Sequence, residues 1–172
     1  DLVVFEEPKN LVVNPSFAER NEGWSRNSAN GGAYAAGTVD ALKQFVKEGD
    51  EGNVYSFNIQ YGRLWQYVKV EPNTQYTFSF DYFRFADTGW FQAKVIGAAA
   101  PGDEYVDDGL ICNNNVSGVK EWNTFTTTVN SGNNGYISIY FVQAGKASAN
   151  WEDYANASTH IWIDNVRLVE VQ

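Results

Sequence analysis

The chain has 172 residues, 44% of them hydrophobic, which is enough for one globular core. A formal net charge of −9 repels a phosphate backbone and excludes the usual nucleic-acid interface, and no stretch approaches the roughly 18 consecutive apolar residues of a membrane-spanning helix. The single cysteine, Cys112, excludes an intrachain disulfide and a thiolate metal cluster. With no nearby His to activate it, Cys112 reads as a small buried apolar side chain. Nothing at Asp1 resembles a signal peptide, so the expectation is one domain over 1–172, mature or excised from a longer protein, with 1–9 as an N-terminal extension. Aromatic residues make up 16% of the chain, more than one small core needs, so some of them are expected on a working surface.

Period-2 alternation dominates, in short runs divided by Gly, Asn, Asp and Pro. The first predicted strand is 11–13, ended by Asn14-Pro15; Trp24 follows as core filling, Gly23 giving the indole room. Residues 39–47 place Val39, Leu42 and Val46 on one face and predict a short helix. Strands are then expected at 54–59, 64–70, 75–85, 90–96, 123–129, 135–142 and 160–169. Between 69 and 75, Pro72 presets its backbone angle and Asn73 tolerates the left-handed region, which predicts a hairpin. The connectors 98–115 and 144–159 are long enough to be functional loops. Strands of this kind bury their faces only by packing sheet on sheet, so the expected fold is all-β: a β-sandwich, a jelly roll of two antiparallel sheets.

The order of four motifs resembles carbohydrate-binding modules of the family 4, 9, 16 and 22 group. Asn10-Leu11-Val12-Val13-Asn14-Pro15-Ser16-Phe17 is similar to their opening motif, which implies that Phe17 plugs the end of the sandwich, and is followed by the Gly23-Trp24 pair. Trp65-Gln66-Tyr67-Val68-Lys69-Val70-Glu71-Pro72-Asn73-Thr74-Gln75-Tyr76 resembles their W-x-Q strand and turn. Glu121-Trp122-Asn123-Thr124-Phe125 resembles a later strand start, and Ile161-Trp162-Ile163-Asp164-Asn165-Val166 the closing strand. The resemblance runs from Asn10 to Leu168. It implies a non-catalytic module that binds a polysaccharide such as xylan or β-glucan on one sheet face, as a monomeric part of a larger secreted or surface-attached protein.

A pyranose has a C–H face that lies on an aromatic ring and hydroxyls that must not be left unpaired. Alternation picks out side chains that meet both needs. On 90–96, Phe91, Ala93 and Val95 face the core and Trp90, Gln92 and Lys94 face out. On 135–142, Ile137, Ile139 and Phe141 point inward and Tyr140 outward. On 64–70, Val68 and Val70 point in while Trp65 and Tyr67 point out. Asp81, opposite the core set Tyr76, Phe78 and Phe80, is an expected acceptor for sugar hydroxyls, and Trp151 in the second long connector is a candidate wall. Each outward ring also has a plainer reading as a cross-strand pair, and Trp24 and Trp122 are read as structural.

Two other functions suit such a fold, a small polysaccharide lyase or glycoside hydrolase and an adhesion domain. The adjacent carboxylates Asp103-Glu104, Asp107-Asp108 and Glu152-Asp153 do not supply the separated pair that glycoside hydrolysis needs. The resemblance also implies one structural calcium ion away from the sugar, with Asp164 as the closing carboxylate and Gly52 as a backbone donor. Ala18 stands where the usual Glu would follow Phe17, and Glu19 comes one place later, so that the expected set is Glu19, Gly52 and Asp164.

Overall fold

The computed structural model describes residues 8–26, 32–38, 40, 42–48, 52–57, 62–85, 90–102, 114–115, 120–144 and 161–172. Its strands are β1 (Ser25–Arg26), β2 (Gly32–Ala35), β3 (Asn53–Phe57), β4 (Gly62–Lys69), β5 (Gln75–Arg84), β6 (Trp90–Ala98), β7 (Asn114–Asn115), β8 (Trp122–Asn130), β9 (Tyr136–Ala144) and β10 (Ile161–Glu170). They form two five-stranded sheets, sheet A in the order β1-β4-β9-β6-β7 and sheet B in the order β2-β3-β10-β5-β8, with antiparallel neighbours throughout. The chain passes between sheets at most connections, as a jelly roll requires. Among the described residues no helix is long and apolar enough to cross a membrane.

Alternation puts one face of each sheet into a shared core. Phe78 and Phe80 of β5 meet Phe141 of β9 and Phe91 of β6; Phe80 stands edge-on to Phe141, with ring centroids 5.1 Å apart at 83°. Such geometry adds about 0.5–1.5 kcal/mol per pair beyond the area buried. Phe17 is 1% exposed against Trp24 and Tyr55, so the opening motif plugs the sandwich as expected. The buried Trp24 indole donates to the Asn14 carbonyl at 3.0 Å.

The expected hairpin at 69–75 is instead a corner between sheets. Asn73 does adopt the left-handed conformation (φ 52°), but β4 pairs with β9 in sheet A and β5 with β8 and β10 in sheet B. Ser131, fully buried in the turn between β8 and β9, fixes this corner. Its hydroxyl donates to the Glu71 carbonyl (2.7 Å) and accepts from the Thr74 N–H (2.9 Å). Local turn chemistry was legible; the identity of the partner strand depends on contacts some 60 residues away.

Two further expectations change. Residues 11–13 form no strand, yet several of their backbone groups are bonded. Leu11 N–H donates to the Leu168 carbonyl (2.9 Å), and the Gln66 side-chain amide pairs with both backbone groups of Val13, at 2.9 and 3.0 Å. A side chain thus takes the place of a neighbouring strand. Of the predicted helix at 39–47, Val39 and Ala41 lie outside the described residues; the rest is a strap whose one regular turn is the 3₁₀ segment Lys43–Phe45, with another, Ala36–Thr38, preceding it. The Phe45 carbonyl is claimed by the Trp122 indole (2.8 Å) rather than by a helical N–H. Leu42, Phe45 and Val46 pack on Phe83, Phe85, Trp122 and Trp162, a second apolar cluster on the outer face of sheet B. The strap's apolar spacing serves that face.

Candidate functional site

Five of the expected side chains, Trp65, Tyr67, Gln92, Lys94 and Tyr140, lie on the outer face of sheet A, where β4, β9 and β6 run side by side; the side chain of Trp90 lies outside the described residues. The register aligns Trp65 with Tyr140 and Tyr140 with Lys94; Tyr67 with Ser138 and Ser138 with Ile96; and Arg63 with Val142 and Val142 with Gln92. Trp65 and Tyr67 are half-buried, as are Gln92 and Lys94. Tyr140 points outward as its parity requires but is only 3% exposed. Its ring stacks against Trp65, centroids 5.9 Å apart at 29°, and Ile96 and Val142 complete a small apolar cluster. Tyr140 therefore braces Trp65, and the indole is the more accessible ring of the two. Trp90 opens β6 opposite Ala144. Trp151 lies outside the described residues, as do Cys112 and most of the two long connectors.

Two side chains on this face fall outside the expected set. Tyr136 is half-buried between Lys69 and Ala98 in the register, and Arg63 is exposed at the other end of β4. Both have the parity of residues already selected, so the signal was present in the alternation.

Asp81 is not part of this surface. It sits on β5 in sheet B, outward-facing, on the opposite side of the sandwich from Trp65. A sequence gives parity within a strand but not which sheet the strand joins, so a single outward set became two. Asp81 is 7% exposed and its carboxylate accepts from Lys47 Nζ (2.6 Å), Thr124 Oγ1 (2.6 Å) and Asn165 Nδ2 (2.9 Å). Burial alone would raise its pKa; the three hydrogen bonds and the Lys47 charge outweigh burial and hold the carboxyl below the usual range.

Asp164 stands directly across the ladder from Asp81 and is 1% exposed, with Oδ1 accepting from the Asn165 N–H at 2.8 Å. Gly52 has φ +83°, and a Cβ there would lie 2.7 Å from the Gly37 nitrogen, so this close approach requires glycine. The Gly52 carbonyl accepts from that N–H at 3.4 Å. Glu19 is exposed in the 18–23 turn, where its N–H donates to Asn14 Oδ1 (3.1 Å). Calcium takes 6–8 oxygens. One buried carboxylate, one engaged carbonyl and an exposed Glu do not by themselves fit that demand, and among the described residues no three His, Cys, Asp or Glu side chains gather.

No protein-family model matches the sequence, and a comparison with curated proteins gave no match. Solved structures do match. TmCBM61, solved in complex with β-1,4-galactotriose, superposes with a TM-score of 0.64 at 18% identity, over 95% of this chain and 99% of that one. The CBM22-1 xylan-binding domain of Paenibacillus barcinonensis Xyn10C gives 0.61 at 13% identity, over 98% and 99%. The enzymatically active domain of bacteriophage CBA120 tailspike protein 4 gives 0.67 at 13%, but this chain spans only 21% of its length. At these identities the likeness is one of fold: a β-sandwich shared by two carbohydrate-binding modules and by part of a tailspike protein.

Proposed function

We propose that the chain is a non-catalytic carbohydrate-binding module that holds a plant-type polysaccharide, xylan or β-glucan, along the outer face of sheet A. The observation that carries this reading is the cross-strand row Trp65–Tyr140–Lys94. It places a half-exposed indole on a buried phenol and, two strands from the indole, an ammonium group, which is the pairing of ring and hydrogen-bonding group that a pyranose requires. Trp65 stacks on the sugar; Gln92, Lys94 and Tyr67 bond its hydroxyls. The two modules named above, whose names place galactotriose and xylan on the same fold, support the ligand class. The tailspike domain, of which this chain spans 21%, supports a place within a larger protein, which we read as an extracellular one that works on or captures glycans.

Affinity electrophoresis through gels containing xylan, mixed-linkage glucan, laminarin or mannan tests the proposal. Migration should be retarded by at least one polymer, with no release of reducing ends or unsaturated sugars in a parallel assay. Turnover, or migration unchanged in every gel, would overturn it. For a neutral polymer the retardation should barely move between low and moderate salt; a steep decline would assign an anionic polymer, held by Arg63 and Lys94.

A further inference from the structure

We propose that the outer face of sheet B carries a second and separate binding site, for a single neutral sugar residue or similar polyol, at the bulge of β10. The bulge is set by register: Asp164 opposes Asp81 and Arg167 opposes Ser79, so two residues of β10 face the single Phe80 of β5. Asn165 takes the left-handed conformation there (φ 47°), which an Asn tolerates better than most residues. A bulge bends its strand away from the ladder. The opening segment runs beside it, held by Asn10 Nδ2 donating to the Val166 carbonyl (3.1 Å) and by the Val166 N–H donating to the Pro15 carbonyl (3.0 Å). Between them lies a cavity of about 370 Å³ lined by Pro15, Ser16, Ser79, Asp81, Asn165 and Arg167, among others.

The volume falls at the small end of ligand pockets, and the lining decides the chemistry. Three donors already occupy the Asp81 carboxylate, two on Oδ2 and one on Oδ1, which leaves about one acceptor position of roughly four, on Oδ1. Arg167 is exposed and presents a fork of N–H donors. Ser79 and Ser16, both half-buried, each donate and accept. Asp81 and Asp164 balance Lys47 and Arg167, so the site has both kinds of hydrogen-bonding partner and no net charge. That matches vicinal hydroxyls, one donating to Asp81 and its neighbour accepting from Arg167. An anion gains little where two carboxylates stand close by. Among the described residues no aromatic side chain lines the cavity to give a platform along which a chain could extend, so the proposed occupant is one sugar unit.

Amide chemical shifts of the whole chain, titrated separately with xylose, glucose, galactose and arabinose, test this. Saturable shifts are expected at Ser79, Thr124, Asn165 and Arg167 with at least one sugar. Arg167→Met keeps the side-chain stem but removes the donors, and it should weaken that response about tenfold; Ser79→Ala should weaken it less. Neither should alter the response of the Trp65 row to an oligosaccharide. Absence of saturable shifts with all four sugars, or the same midpoint in Arg167→Met, would overturn the site. Tighter binding of glucuronate or sulfate than of any neutral sugar would overturn the ligand class. Because the two sheets are read through different amides, failure here is distinguishable from failure of the sheet A reading.

Discussion

The two outer faces of the sandwich start from the same sequence signal and end differently. On sheet A the outward ring of Trp65 stays half-exposed, braced by Tyr140. On sheet B the outward rings of Phe83 and Trp162 are buried, because Leu42, Phe45 and Val46 of the strap pack across them, fastened by the Trp122–Phe45 hydrogen bond and the Lys47–Asp81 ion pair. An outward aromatic on a strand is therefore not a ligand contact in itself. What separates the two cases is whether another part of the chain needs that face for its own burial.

Substituting one ring from each face should make the contrast quantitative. Trp162→Ala removes a fully buried indole from the strap cluster and should cost about 3–5 kcal/mol of stability, in the range of large-to-small core substitutions, as read from chemical denaturation. Any protein that remains folded should still be retained by polysaccharide. Trp65→Ala should do the reverse, costing about 1–3 kcal/mol of binding, as loss of an aromatic anchor does, with the denaturation midpoint little changed. If Trp65→Ala unfolds the protein, or if Trp162→Ala abolishes retention while the fold persists, the assignment of the faces is wrong.

Acid should loosen one side of the sandwich before the other. The Asp81 pKa is lower in the folded than in the unfolded chain, so its contribution is fully present above the unfolded value, near pH 4, and is lost as pH falls through the folded value. Melting midpoints should therefore drop below about pH 4, and the drop should be smaller in Asp81→Asn. Hydrogen exchange at Phe45 and Val46 should quicken in the same window while exchange at Ile139 does not. Equal pH dependence in the two proteins would remove Asp81 from the fastening of the strap.

The smallest effect expected is that of calcium. An ion bound to the native state by Asp164 and the Gly52 carbonyl must raise the melting midpoint in millimolar Ca²⁺ relative to EDTA. With so few oxygens in the described donor set the increment should be slight, and identical melts would remove the ion from the fold.

Much of this was legible in the sequence because it depends on local rules. Alternation gave the inward sets of β5, β6 and β9, and it gave the outward parity of Trp65, Tyr67, Gln92, Lys94 and Tyr140. The left-handed Asn73 and the structural role of Trp24 also followed from residues near in sequence, and that of Phe17 from the resemblance. The motifs that carried the family resemblance turn out to be joints: Gln66 pairs with Val13, Asn10 ties down the β10 bulge, and Asn165 forms it. Such residues serve the geometry of the sandwich, so they point to a fold more surely than to a sugar.

The tertiary structure alone decided which strands share a sheet. A period of two fixes which side of its own strand a residue occupies, but two strands with the same parity can lie on opposite sides of a sandwich, and that separation moved Asp81 away from Trp65. The same limit turned the expected hairpin into an inter-sheet corner and the expected helix into a strap. In each case the deciding partner (Ser131 for the corner, Trp122 and Asp81 for the strap) lies tens of residues away. Burial followed the same logic: parity sent Tyr140 outward, but its stacking on Trp65 across the ladder made it a support instead of an open surface.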